Sequence, residues 1–282
     1  MGEADTVKAA AGPVTMDGLY RDLKNLGVNS GDILLVHSSL SRIGWVCGGA
    51  QSVVLSLLKA TGADGCAGTG GTLVMPAHSG DWSDPAEWQN PPVPKEWIQA
   101  IYDNMPAYNP EITPTRLMGR IAELFRTFPG VLRSDHPQVS FCATGKFSEA
   151  ILKGHQLSPQ FGMESPLGKM YNLNAKVLLL GVGYDSCTGF HLAETLLDRM
   201  PLKQMGTAIM ENGVRVWKWF EDYAYDSGDF ERIGEAFEGN STVFRGEIGN
   251  AECRLFELKD GVDFAVKWLR ENRLNKEGRN EK

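Results

Sequence analysis

Residues 177–194 read VLLLGVGYDSCTGFHLAE. The apolar run over 177–180 is too short for most helices and suits a strand covered on both faces. Gly181 and Gly183 break the run. Asp185, Ser186, Thr188 and Gly189 then make a polar turn, and helix-forming residues begin near Phe190. Strand, glycine turn and helix start, in that order, form the repeating unit of an open α/β sheet, where ligands sit beyond the carboxyl ends of the strands. His191 would project from the first turn of the helix with Glu194 one turn further on, which makes it a candidate proton acceptor steadied by Glu194 or Asp185. A helix N-terminal histidine with its hydrogen bonds met locally fits the same residues, and the sequence leaves both readings open.

The same pattern runs through the chain. Thr15 is placed to cap a helix with Met16, Leu19, Tyr20, Leu23 and Leu26 on one face, and Gly27 to end it. Buried strands are predicted over 33–36 and 72–75, the second stopped by Pro76, with a helix over 50–59 between them. Further helices are predicted over 118–128, 147–153, 167–173, 230–237 and 262–269, and a strand over 139–143. The fold class is therefore α/β, with a mostly parallel central sheet flanked by helices. Alternating residues over 207–210 and 214–220 flank Asn212-Gly213, a strong hairpin signal, so an antiparallel hairpin is expected in the C-terminal part. Residues 81–115 are dense in tryptophan and proline, which rules out a continuous helix or central strand, and their aromatics argue for an ordered, lid-like lobe. The expected division is an N-terminal arm over 1–14, one domain over 15–270 and a solvated tail over 271–282.

A chain of 282 residues, 42% hydrophobic, can bury one large core. Its net charge of -7 argues against nucleic acid as a partner and suits a cationic substrate. The cysteines, Cys47, Cys66, Cys142, Cys187 and Cys253, are scattered and odd in number, as expected of reduced thiols in a cytoplasmic protein. No apolar leader or membrane-length segment is present in the sequence, so no membrane partner is expected. The glycine-rich loop ATGADGCAGTGG lacks both the dinucleotide fingerprint and a P-loop lysine, and reads as a flexible connection.

Several residues carry candidate chemistry. His37 and His78 both follow strands and can line one cleft. With Asp81 or Asp84 they could ligate a metal, but their spacing matches no compact zinc pattern, and no metal is expected. Ser38, Ser39 and Ser41 offer hydroxyls to a phosphate or pantetheine arm, or cap the next helix. Arg133, Ser134 and His136 suit a phosphate or a plain turn. Glu221, Asp222, Asp226 and Asp229 suit a polyamine or a solvated acidic loop. No G-x-S-x-G elbow is present, which excludes the usual serine hydrolase arrangement.

Taken together and in order, VHSSLSRIGWVCGGA, MPAHS, PPVPKEW, MPAYNPEITPTRLMG, RSDHPQVSF, ESPLGK and VLLLGVGYDSCTGFHLAE resemble the aminoglycoside 3-N-acetyltransferase family over about 15–268. The resemblance implies acetyl transfer from acetyl-coenzyme A to the 3-amino group of a deoxystreptamine ring, in a ternary complex, without a metal and on a fold unlike the GCN5 type. It implies that His191 is the general base, that Asp185 and Thr188 orient it, and that Glu221 supports it or meets the antibiotic. It further implies coenzyme A contacts from His37, Ser38, Ser39, Leu40 and Ser41, with Gly44 and Val46 beside them. Met75, Pro76 and Ala77 would flank the thioester. Arg133, Ser134 and His136 would approach the phosphates, and Ser165 and Leu167 the pantetheine. The polycationic acceptor would meet His78, Asp81, Trp88, Glu194, Glu221 and Asp222. The longer glycine-rich loop and the 81–94 segment depart from the family pattern and bear on the identity of the amine. Transfer to a non-antibiotic amine, non-catalytic binding of a cation, and metal-dependent hydrolysis through His37 and His78 are the competing readings.

Overall fold

The computed structural model describes residues 6–8, 12–63 and 70–274. Much of the expected N-terminal arm, the middle of the glycine-rich loop with Cys66, and residues 275–282 of the expected tail lie outside the described residues. In chain order the elements are α1 (Met16–Leu26), β1 (Ile33–Ser38), α2 (Leu40–Ile43), α3 (Gly49–Thr61), β2 (Thr72–Pro76), α4 (Ile98–Asn104), α5 (Gly119–Arg126), β3 (Leu132–Arg133), β4 (Phe141–Gly145), α6 (Ser148–Leu152) and α7 (Pro166–Asn172). They continue with β5 (Lys176–Leu180), α8 (Phe190–Thr195), β6 (Leu202–Glu211), β7 (Val214–Tyr223), α9 (Phe230–Glu238), β8 (Phe244–Ile248), β9 (Ala251–Glu257) and α10 (Leu258–Leu269).

The central sheet has the order β3-β4-β2-β1-β5-β9-β8. Its middle is parallel: β1 pairs with β2 and β5, and Leu35 stands opposite both Val74 and Val177. β4 and β9 run against these strands, whereas β3 and β8 run with them, so most strands share one direction while every outer pairing is antiparallel. The two-residue period of the strands sorts the core into two layers. Leu34, Val36, Leu178 and Leu180 face α1, α3 and α5. Ile33, Leu35, Val177 and Leu179 face the layer that contains α6 to α10. Each fully buried Leu, Ile or Val contributes about 1.5–3 kcal/mol, so the middle strands anchor the fold.

Local signals act as their chemistry requires. Thr15 Oγ1 accepts from Gly18 N at 3.2 Å at the start of α1. Gly27 closes that helix in the left-handed region at φ 110°. The 81–115 lobe is built from 3-10 turns followed by α4. Two of its tryptophans are tied down: Trp82 Nε1 donates to Pro106 O at 2.9 Å and Trp88 Nε1 to Ser83 Oγ at 3.0 Å. Arg215 on β7 donates to the carbonyls of Met105 and Tyr102, and the Tyr102 ring lies 4.7 Å from that of Trp217. Lobe and β6–β7 hairpin thus pack as one unit. The hairpin pairs from Leu202–Tyr223 to Glu211–Val214, longer at its open end than expected.

One boundary is corrected. The chain does not become a free tail at 271, because a π-helical turn, Arg270–Leu274, follows α10 and returns Arg273 to the body of the protein. Among the described residues no helix is long and apolar enough to cross a membrane.

Candidate active site

β1, β2 and β5 end side by side, and the residues that follow them meet in a cleft of 560 Å³. Gly181 turns the chain away from β5 at φ 69°, where a Cβ would stand 2.7 Å from that of Arg42. Only glycine takes that turn without strain. The Tyr184–Ser186 turn follows, and α8 begins at Phe190. His191 N donates to Thr188 O at 3.0 Å. The imidazole lies parallel to Phe161 at 4.8 Å and edge-on to Tyr225 at 5.5 Å, with Phe230 at 4.7 Å. Its Nδ1 is 2.6 Å from Glu194 Oε2, and the Glu194 side chain is 0% exposed. A carboxylate at Nδ1 fixes the ring hydrogen there and leaves Nε2 with a lone pair. Glu194, one helical turn on, is therefore the carboxylate partner of His191. Asp185 lines the cleft but bonds to Ser186, and Glu221 stands exposed on β7 outside the cleft wall.

His37, Ser38, Ser39, Leu40 and Ser41 line the cleft from the end of β1, and Pro76 and His78 from the end of β2. Burial pushes the His37 and His78 imidazoles down to about 3, helped at His78 by His191 and His37. Both rings are thus neutral near pH 7, and the Nε2 atom of each is buried without a protein partner. Ser39 Oγ and Ser41 Oγ are 3.2 Å apart. Asp185, Ser186, Thr188 and Ser227 add polar groups on the His191 side. Arg120, in the first turn of α5, is the one cation among the lining residues, beside Leu117 and Met118. Among the described residues no group of three or more His, Cys, Asp or Glu is placed to hold a metal ion.

Other expected site residues serve the fold instead. Arg133 donates to Ser140 Oγ, Ser79 Oγ and the carbonyls of Pro110, Thr113 and Ala77, so its guanidinium is consumed by its own chain. Ser134 Oγ pairs with His155 Nδ1, and His136 Nδ1 accepts from Gln138 N and Val139 N. These three build the corner between β3 and β4 and do not line the cleft. Val46, Met75, Ala77 and Leu167 are core side chains. Gly44 abuts Asn250, and Ser165 is buried at the start of α7. Asp222 is 1% exposed and accepts from Ser158 Oγ and Gln160 N, which removes it from substrate contact. Glu194 is likewise too buried to touch a substrate. Asp81 pairs with Arg116 and, with Trp88, borders a separate apolar cleft on the lobe.

A family profile described as aminoglycoside 3-N-acetyltransferase matches residues 35–270. The chain belongs to the aminoglycoside 3-N-acetyltransferase family. Among relatives of this family, the SPbeta prophage-derived aminoglycoside N(3')-acetyltransferase-like protein YokD of Bacillus subtilis (strain 168) is 46% identical over 94% of this chain and 96% of its own length. The crystal structure of YokD superposes with a TM-score of 0.92, covering 95% of this chain and 98% of that one. Aminoglycoside N(3)-acetyltransferase VII of Streptomyces paromomycinus is 33% identical over 96% of both chains. Two further solved members carry ligands. AAC-IIIb, crystallised with CoASH, has a TM-score of 0.79 at 28% identity over 92% of this chain and 97% of its own. AAC-VIa, bound to sisomicin, has a TM-score of 0.81 at 27% identity over 93% and 100%.

Three residues in or behind this cleft escape sequence reading. Phe161 lies in a segment without regular pattern, yet supplies the face on which His191 stacks. Arg120 is one polar letter on an amphipathic helix, a position that reads as solvated. Arg273 falls in a polar run whose composition is that of a tail. None of the three carried a usable local signal, because each gains its place only from the packing of distant segments.

Proposed function

We propose that this chain transfers the acetyl group of acetyl-coenzyme A to the 3-amino group of the deoxystreptamine ring of an aminoglycoside, with His191 as general base. The observation that carries the reading is the ring of His191 on the wall of the cleft, held at Nδ1 by a buried carboxylate with Nε2 free to accept a proton. Family membership and the CoASH- and sisomicin-bound relatives support the choice of donor and acceptor.

When bound, acetyl-coenzyme A supplies an activated acyl carbon. The chain's own residues bind, orient and move protons. Neutral His37 and His78 offer Nε2 atoms, and Ser39 and Ser41 offer hydroxyls, for the polar groups of the pantetheine arm and thioester. Arg120 faces the cleft as a partner for phosphate charge. Asp185 gives the acceptor's ammonium groups a carboxylate inside the cleft. The reacting amine enters as an ammonium ion. His191 Nε2 removes one proton, which passes on to water. The amine nitrogen bonds to the acyl carbon as the carbon–sulfur bond breaks, and its second proton ends on the coenzyme A sulfur. Transfer is direct, from the thioester to the amine within a ternary complex. The 81–115 lobe acts as a lid on the acceptor side.

The test is thiol release from acetyl-coenzyme A across a panel of aminoglycosides and simple amines, with the product's acetylated nitrogen mapped by NMR. We expect aminoglycosides to accelerate release and acetylation to fall on the 3-amino group. His191→Ala should lower kcat by about 10²-fold or more. Tight binding with no turnover of any acceptor would make the protein a binder, and turnover of simple amines alone would move the acceptor outside the antibiotics.

A further inference from the structure

We propose that Arg273 is a positioning residue for His191: its guanidinium balances the buried Glu194 carboxylate and ties the last described turn of the chain to the cleft wall. The inference rests on His191 being the base.

Glu194 has no exposed surface, and a buried carboxylate is costly unless a counter-charge and hydrogen bonds compensate it. Its Oε2 serves His191 Nδ1. Its Oε1 accepts from Asp226 N at 3.0 Å and from Arg273 Nη1 at 2.5 Å. A base that must be neutral to act cannot supply the counter-charge, so the permanent cation does. Arg273 is itself spent on this arrangement: its side chain is 14% exposed, Nε lies 3.2 Å from Asp229 Oδ2, and Nη2 donates to Asp226 O at 2.8 Å. Burial lowers the tendency of this guanidinium to stay charged, and its bonds to Glu194 and Asp229 outweigh that and raise it. The loop between Asp226 and Asp229, which carries the cleft residue Ser227, is held by the same side chain.

The charged and titratable groups around His191 are Glu194 on its own helix, Arg273 beyond α10, Asp226 and Asp229 before α9, Tyr225 after β7, His78 after β2 and Asp185 after β5. Arg273 is the only permanent cation in that set. Without it, the balanced Glu–Arg pair becomes an unbalanced anion pressed on the imidazole. The ring then holds its proton more tightly, and less of the base is free near neutral pH.

The experiment compares full-length wild type, His191→Ala, Arg273→Met and Arg273→Lys by thiol-release kinetics across pH, with a thermal melt of each. In Arg273→Met the acid side of the kcat/KM profile should move up by about one pH unit, which is about tenfold less activity on the acid limb and a smaller loss as the plateau is approached, with activity recovering at higher pH. KM for both substrates should stay within about twofold, since Arg273 is not among the residues that line the cleft. Arg273→Lys, which keeps the charge, should restore most of the profile. A folded Arg273→Met with the wild-type profile and kcat overturns the proposal, as does a lowered Tm with an unmoved profile. If the Met variant melts too low to assay, Arg273→Gln and Arg273→Lys carry the comparison, and coincident profiles overturn it. A wild type that acetylates no amine, or an active His191→Ala, would sink the reading of the base instead; an inactive His191→Ala beside an unaffected Arg273→Met would sink this inference alone.

Discussion

Two arginines separate what residue type promises from what geometry delivers. Arg133 sits in a histidine- and serine-rich turn that looks made for phosphate, yet carbonyls and hydroxyls from three separate segments take up its donors. Arg120 has no such setting in the sequence and faces the cleft. Arg120→Ala should therefore raise KM for acetyl-coenzyme A by about five- to tenfold at little cost in kcat, the loss of roughly one charge-assisted bond. Arg133→Ala should cost at least about 2 kcal/mol of stability, because it strands buried acceptors, and leave KM of the folded fraction alone. Steady-state kinetics paired with denaturant melts distinguish the two. His191, Glu194, His37 and the serines of β1's end were legible because helix spacing and strand ends are local facts. The fates of Arg133 and Asp222 were not, because most of the groups that claim their polar atoms are distant in sequence. Arg273 was hidden for the same reason, since its partner Glu194 is a long way back along the chain.

At the scale of elements, legibility followed the strength of the periodic pattern. α1 was readable to its terminal residues because cap, apolar stripe and closing glycine all agree. β3 is too short to carry a pattern, and β8 is an exposed edge with the letters of a loop, so neither announced itself. Packing between elements was the least visible feature. Gly234 on α9 is an example: a Cβ there would stand 1.9 Å from Cγ of Tyr184, whose ring lies directly over the helix. Tyr184 belongs to the turn that leads into α8, so α9 and that turn can pack only with a bare backbone between them. Gly234→Ala should cost about 1–3 kcal/mol by overpacking despite its gain in helix propensity. A urea melt measures it, and the same variant should lower activity if the displaced turn carries His191 with it.

Across the whole molecule, His37, His136 and His155 are buried and His78 is half-buried against the cleft, all four as neutral rings near pH 7. Burial lowers His37 and His78 to about 3 and His155 to about 4, and it takes His136 well down as well. In the unfolded chain each regains its ordinary value of 6.5. The unfolded state therefore binds more protons below that pH, so stability is fully present above it and is lost as the pH falls toward the folded values. Each such histidine contributes a slope of up to about 1.4 kcal/mol per pH unit in that window. We expect Tm to be level above neutrality and to drop steeply between about pH 6 and 4, and a flat curve there would contradict the burial of these rings. The strand order carries a last consequence. β5 is the most apolar strand beside β1, and its far edge is covered only by β9, which the ribosome delivers after the hairpin, α9 and β8. Until then a nascent chain presents an open, sticky edge of Val and Leu backbone. Interrupted translation of this protein should thus leave aggregates for the cell's quality control rather than fragments with partial activity.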